Sequence, residues 1–85
     1  MSWSWEFTKK SEAQFKKLDN QIKERVEEKL DFWVASGKPM EFAEPLSDYE
    51  LGAYRFRVGN YRIIFDVDGE TIVVLAVGHR RDIYR

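Results

Sequence analysis

Tyr54-Arg55-Phe56-Arg57-Val58-Gly59-Asn60-Tyr61-Arg62-Ile63-Ile64-Phe65 reads as two strands and a turn, and its parity decides how the rest of the chain must be arranged. Strand alternation puts Arg55 and Arg57 on one face and Tyr54, Phe56 and Val58 on the other. Past the turn, Arg62 shares parity with Ile64 against Tyr61, Ile63 and Phe65. Gly59-Asn60 is a two-residue hairpin signal, so Val58 pairs with Tyr61 and Arg57 lies directly across from Arg62. Like charges facing each other on a sheet cost ~0.2 to 1 kcal/mol. Three guanidiniums on one pleated face therefore point to an anion as their occupant. The planar, permanently charged fork of arginine matches the oxygens of a phosphate.

Downstream, Asp68-Gly69 is a strong turn signal joining Ile63–Val67 to Thr71–Val77. In that register Phe65 faces Ile72, Ile63 faces Val74 and Tyr61 faces Ala76, which makes the core side. Arg57, Arg62 and Leu75 then form one row on the opposite side, with Val77 and His79 further along. The cationic face is thus partly apolar: Ile64, Val73, Leu75 and Val77 either floor a cleft or meet a partner protein. Gly78-His79-Arg80-Arg81-Asp82-Ile83-Tyr84 reads as a continuation of the same sheet.

Upstream, Trp3, Trp5 and Phe7 alternate with Ser4 and Glu6, the period of a strand with one aromatic face. Thr8 or Ser11 caps a helix, Ser11 and Gln14 stand at capping-box spacing, and Ala13, Phe15 and Leu18 supply a short apolar stripe. Asp19-Asn20 ends that helix and caps the next. From Gln21 to about Ser36, Ile22, Val26, Leu30 and Trp33, joined by Phe32, fall at helical spacing against Lys23, Glu24, Glu27, Glu28 and Lys29. Gly37 suits the position just past the helix, and Pro39 prevents its resumption. Met40 to Ala53, with Glu41, Glu44, Pro45, Asp48 and Gly52, reads as loop. The fold class expected is α+β: an N-terminal strand, then two helices packed on one face of a twisted, mainly antiparallel sheet.

Eighty-five residues support one small domain, 1–85, and no linker or shift in composition marks a second. No apolar run approaches the roughly twenty residues of a membrane span, so no membrane role is expected. The start Met1-Ser2-Trp3-Ser4-Trp5-Glu6 lacks the basic and apolar regions of a signal peptide, and a cytoplasmic location is the expectation. With no cysteine, disulfides, thiolate metal sites and cysteine nucleophiles are excluded. The formal net charge of -1 means that any affinity for nucleic acid must come from a local patch and not from a diffuse positive field. Asp66-Val67-Asp68-Gly69 imitates part of a calcium loop, but Ile64 stands where the first ligand belongs, so it reads as a hairpin turn. No metal or other cofactor is expected.

The pattern aromatic-Arg-x-Arg-x-Gly-x-Tyr-Arg, followed by a Val-rich strand and Val-Gly-His-Arg-Arg-Asp-Ile-Tyr, resembles the RelE/ParE superfamily of toxin-antitoxin systems. The strand-helix-helix start, with Phe15-Lys16-Lys17-Leu18-Asp19 at the helix junction, is similar too, so the resemblance covers nearly the whole chain. It implies the RelE-like microbial RNase fold, a cognate antitoxin and a larger toxin-antitoxin assembly. RelE-like members are ribosome-dependent mRNA endonucleases; ParE-like members lack most of the RNase residues and poison DNA gyrase. Arg55 and Arg57 stand at positions commonly basic in RelE-like toxins. Arg62 is the arginine of the Tyr-Arg strand, Arg80 follows the Gly-basic pair, and Tyr84 is the near-terminal aromatic. The resemblance therefore favours the nuclease branch, with the ribosome and mRNA as partners, a gyrase inhibitor as the alternative and a purely binding family member as a third reading.

Cleavage of RNA by its own 2'-OH needs a base, cations for the pentacovalent phosphorus and an acid for the departing 5'-oxygen. Arg62 and Arg80 are the candidates for phosphate stabilisation, and Arg55, Arg57 and Arg81 for RNA binding. Tyr84 can stack on a base, worth ~1 to 3 kcal/mol per base in single-stranded recognition, or anchor the C-terminus in the core. Guanidinium is a poor general base, so His79, the sole histidine, is the candidate acid or base, against a plain surface histidine at a strand end. The helical face carrying Lys16 and Lys17 is a candidate contact for ribosomal RNA.

Overall fold

The structure is a computed structural model that describes residues 2–47 and 50–84. Met1 of the expected start and Asp48 of the expected loop lie outside the described residues. In chain order the elements are β1 (Ser4–Phe7), α1 (Lys9–Lys16), α2 (Asn20–Ala35), a 3-10 turn (Pro39–Phe42), β2 (Glu44–Pro45), β3 (Tyr54–Val58), β4 (Tyr61–Asp68), β5 (Thr71–His79) and a short α3 (Arg80–Ile83). They form one five-stranded sheet in the order β1-β5-β4-β3-β2, with β1 parallel to β5 and every other pair antiparallel. The expected α+β class and mainly antiparallel sheet are what the chain adopts.

Local chemistry starts and stops the helices. Thr8 caps α1 by accepting from the Ser11 amide, and Ser11 returns the contact to the Thr8 amide. The capping box is therefore Thr8 with Ser11, not Ser11 with Gln14. Ser11 is fully buried because its hydroxyl also donates to the Val74 carbonyl at 2.7 Å, tying α1 to β5 where β1 leaves the sheet. Gln14 is used differently: its Oε1 accepts from the Val77 amide on the same bare edge. Asp19 caps α2 through Gln21 N, and Gly37, at φ 76°, follows the helix end.

Val26, Leu30 and Trp33 of α2 meet Phe56, Val58, Ile63, Phe65, Ile72, Val74 and Val77 in one core on the helix side of the sheet. Trp33, Phe56 and Phe65 stack in series at 4.1 and 4.3 Å between centroids, a geometry that adds to the burial of so much aromatic surface. Phe32 lies outside this stripe. It is 58% exposed and touches Phe42 edge-on, because its place on the helix turns it away from the sheet.

The first hairpin has the expected register, with Arg57 across from Arg62. The second does not. Asp68 pairs with Thr71, so Gly69-Glu70 makes the turn, and the ladder is two residues out from the expected one. A bulge at Leu75 then shifts it once more: Phe65 pairs with Val74 but Ile64 with Ala76. That extra residue turns Val77 into the core, where it is 2% exposed, and places Gly78 across from Arg62. Leu75 therefore does not stand in a row with Arg57 and Arg62, and Val77 does not join the arginine face. The driving force is burial of an apolar side chain that the unbulged register would leave on the cationic side.

The segment read as loop is only partly irregular. Glu44–Pro45 pairs with Arg55 and Tyr54 as a two-residue edge strand, a position proline tolerates. Further along the chain, Gly52 lies against the open face of the sheet. Gly52, at φ 152°, lies so close that a Cβ there would stand 2.7 Å from Ile64 Cγ2 and 3.0 Å from Leu75 Cδ1. Part of the apolar surface on the arginine face is thus covered by the chain's own backbone. β5 ends at His79, and residues read as continued strand form α3, which turns Ile83 against Gly78 on that same face. None of the described helices is long and apolar enough to cross a membrane.

Candidate functional site

Strand parity, as expected, sets Arg55, Arg57 and Arg62 on the face opposite the helices, and α3 carries Tyr84 over them. Arg55 donates from Nη1 to the Tyr84 hydroxyl at 2.9 Å, with its guanidinium carbon 5.9 Å from the ring centroid. That hydrogen bond, more than any charge pair, raises the Arg55 pKa above its already high ordinary value.

Sequence reasoning missed Glu44. Its carboxylate lies between two of the arginines: Oε1 is 2.6 Å from Arg57 Nε and 3.5 Å from Arg55 Nε, while Oε2 accepts from Arg57 Nη2 at 3.4 Å. Partial burial pushes the Glu44 carboxyl up, but the Arg57 and Arg55 guanidiniums outweigh it and hold it below the usual carboxylate range. It is ionised at neutral pH. The Arg55 Nε–H is buried without a hydrogen bond, since its 3.5 Å approach to Glu44 is not hydrogen-bond geometry. The signal available in the sequence was Pro45, whose place on an edge strand brings its neighbour Glu44 directly across from Arg55.

Arg62 is 7% exposed and donates Nη1 to the carbonyls of Gly59 and Tyr61, both 2.9 Å away. Among the described residues it has no carboxylate partner. Arg80 and Arg81 are exposed; the Arg80 amide donates to the Asn60 carbonyl at 2.8 Å, which fixes α3 to the first hairpin.

His79 is not brought to the arginines. It pairs with Tyr61, meets that ring edge-on at 5.4 Å, and spends Nδ1 on the Arg81 amide as the cap of α3. With Tyr61 it faces the helix side, lining a cavity of about 360 Å³ shared with Gln14, Lys17 and Asp82. The strand parity that puts Arg62 on the open face, combined with the Leu75 bulge, sends His79 to the other. Lys16 is tied to Glu12 at 3.8 Å in an exposed pair, while Lys17 opens onto the cavity. Among the described residues, no group of three or more His, Cys, Asp or Glu side chains is placed to hold a metal ion.

A small α+β fold with arginines and a C-terminal aromatic on the sheet face away from its helices defines a toxin of the RelE/ParE superfamily. The chain belongs to the ParE toxin family of type II toxin-antitoxin systems, whose model matches residues 5–84. Within the superfamily its relatives place it in the RelE-like branch. It is 34% identical to Toxin RelG of Mycobacterium tuberculosis over 87 aligned residues, covering all of this chain and 99% of that protein. It is 58% identical to Toxin RelE3 of Methanocaldococcus jannaschii over 31 residues, 36% of this chain and 35% of that one. Among solved structures, the crystal structure of an M. tuberculosis RelBE toxin-antitoxin complex superposes with a TM-score of 0.79 at 26% identity, covering 94% of this chain and all of that one. The RelB-RelE antitoxin-toxin complex from M. jannaschii gives 0.72 at 30% identity, with 92% and 93% covered.

Proposed function

We propose that this toxin is a ribosome-dependent endoribonuclease that cuts mRNA in the A site by attack of the RNA's own 2'-OH. The observation that carries the reading is the carboxylate of Glu44 held ionised between Arg55 and Arg57, on the same sheet face as Arg62 and Tyr84. Glu44 takes the 2'-OH proton, a role no arginine performs. The 2'-oxygen attacks phosphorus and the 5'-oxygen departs, leaving a 2',3'-cyclic phosphate. Arg62 and Arg80 stabilise the added negative charge, while Arg55, Arg57 and Arg81 hold the flanking backbone. Tyr84 accepts from Arg55 and so keeps its own proton free for the departing oxygen, and its half-exposed ring offers a stacking surface to the codon. In this reading His79 is a positioning residue that caps α3 and thereby places Arg80 and Tyr84. No step is routed through a metal.

The toxin acts in the cytoplasm and is neutralised by a cognate antitoxin in a larger assembly, as solved relatives are complexes with RelB antitoxins. In vitro translation with wild type and the Arg62→Ala, Arg80→Ala double variant tests the nuclease claim. Inhibition with cut message by wild type alone is the expected result; equal inhibition by both, or intact message, overturns it. The match to the ParE family model motivates a second reading, inhibition of DNA gyrase, and a supercoiling assay separates the two.

A further inference from the structure

Resting on the nuclease reading, we propose that the Gly59-Asn60 hairpin tip is a second RNA phosphodiester site, built by Arg25 of α2 and neighbouring the scissile position at Arg62 and Arg80. Arg25 had no role in the sequence reading. Its guanidinium lies against the turn, so that a Cβ placed on Gly59 would meet Nη2 at 3.5 Å and Nη1 at 3.7 Å. Gly59, at φ 59°, is needed there for the turn itself. Arg62 reaches the same turn from β4 with its guanidinium, through the Gly59 carbonyl, and Arg80 of α3 is anchored beside it by its main-chain amide, which donates to the Asn60 carbonyl. Two guanidiniums, from α2 and β4, thus meet at the turn, with the backbone of Arg80 fixed beside them.

None of the three has a carboxylate partner among the described residues, where ion pairs involve only Lys16, Arg55 and Arg57. For Arg25 a partner is within helical reach. Glu28 stands three positions on, the spacing of an intrahelical pair, yet the two are not bridged. For Arg62 the deficit is sharper, because the residue is buried and its guanidinium keeps only carbonyl dipoles as compensation. A buried charge without a counter-charge is costly, and an anion at the tip relieves it. The chemistry of the anion follows from the fork geometry and the spread of donors over both sides of the sheet edge. A phosphodiester chain whose scissile group sits by Arg62 continues round the tip toward Arg25.

The test measures affinity against salt for 70S ribosomes programmed with a message 2'-O-methylated in the A-site codon, and for the same ribosomes without message. Wild type is compared with Arg25→Gln, Arg25→Lys and, as control, Lys38→Gln at the other end of α2. Expected for Arg25→Gln is a severalfold weaker affinity and a slope of log K against log salt reduced by about 0.7, with Arg25→Lys retaining most of both. A loss seen only with message assigns the site to mRNA, and an equal loss without it assigns the site to ribosomal RNA. An unchanged slope in Arg25→Gln, an equal loss in Lys38→Gln, or absence of salt-dependent binding by wild type overturns the proposal. Because the message cannot be cut, this result is independent of whether wild type cleaves, and failure of the nuclease reading is seen separately in the translation assay.

Discussion

Two groups of arginines, one on β3 and one around the β3–β4 turn, are treated oppositely by the fold. Arg55 and Arg57 share the carboxylate of Glu44 and, for Arg55, the hydroxyl of Tyr84. Arg62, Arg80 and Arg25, gathered about the Gly59-Asn60 turn, hold backbone carbonyls or face solvent and have no counter-charge among the described residues. The first group is an ion-paired cluster; the second is a cationic rim with no carboxylate partner among the described residues. One set of side chains of a single chemical type thus divides into a part paired with a carboxylate and a part without one among the described residues. For the strand arginines the division follows from β2, which brings Glu44 across from Arg55 and beside Arg57 but not to Arg62.

Glu44→Gln breaks that comparison most severely. It removes the proton acceptor but keeps the shape, so single-turnover cleavage on programmed ribosomes falls ~100- to 10,000-fold while affinity for uncleavable message does not fall. Cleavage at the wild-type rate would reduce Glu44 to a counter-ion. Arg62→Ala comes next, with a loss of about 100- to 1000-fold in the same assay, and Arg62→Lys fails to restore it because a point charge cannot span both turn carbonyls and a phosphate.

Gly52→Ala acts on the first group alone. A methyl 2.7 Å from buried Ile64 forces the loop after Glu44 to move, with a cost of about 1 to 3 kcal/mol in chemical denaturation. The Arg25 salt slope stays as in wild type, and a parallel loss there would show the two groups to be one. Tyr84→Phe keeps the stacking ring and removes one hydrogen bond to Arg55, worth about 0.5 to 1.5 kcal/mol, so affinity for uncleavable message changes up to about tenfold, while loss of the proposed acid slows cleavage by about 100-fold or more.

Smallest is the pH effect. Since Arg57 and Arg55 depress the Glu44 carboxyl, its ion pairs are fully present above the ordinary value of 4.5 and are lost only as pH falls through the lower folded value. An NMR titration of that carboxyl is expected to show a midpoint below 4.5; a midpoint at or above it would mean that the guanidiniums do not hold it.

Much of this was legible in the chain itself. The Gly59-Asn60 hairpin, its register and the clustering of Arg55, Arg57 and Arg62 follow from period-two alternation and a turn dipeptide, which are local and strong. The second hairpin misled because Asp68-Gly69 is an equally good dipeptide signal one residue before the turn actually made, and nothing in Thr71–Val77 marks Leu75 as the bulged residue. Burial of Val77 selects that bulge, and burial is a property of the assembled core. The same bulge takes His79 away from the arginines, so the error in the site and the error in the register have one cause. Glu44 and Arg25 escaped notice for a related reason: each meets the site only across the sheet edge or from the helix layer, far from it in sequence.

What the sequence by itself determined is therefore the α+β order of elements, the aromatic core face and three guanidiniums on one strand surface, because turn geometry and side-chain alternation act between near neighbours. Tertiary structure alone decided which of those cations would be neutralised, which carboxylate would join them and which face His79 would take. Those outcomes depend on strand register and on long-range electrostatic pairing, which are settled only when the sheet closes on its core.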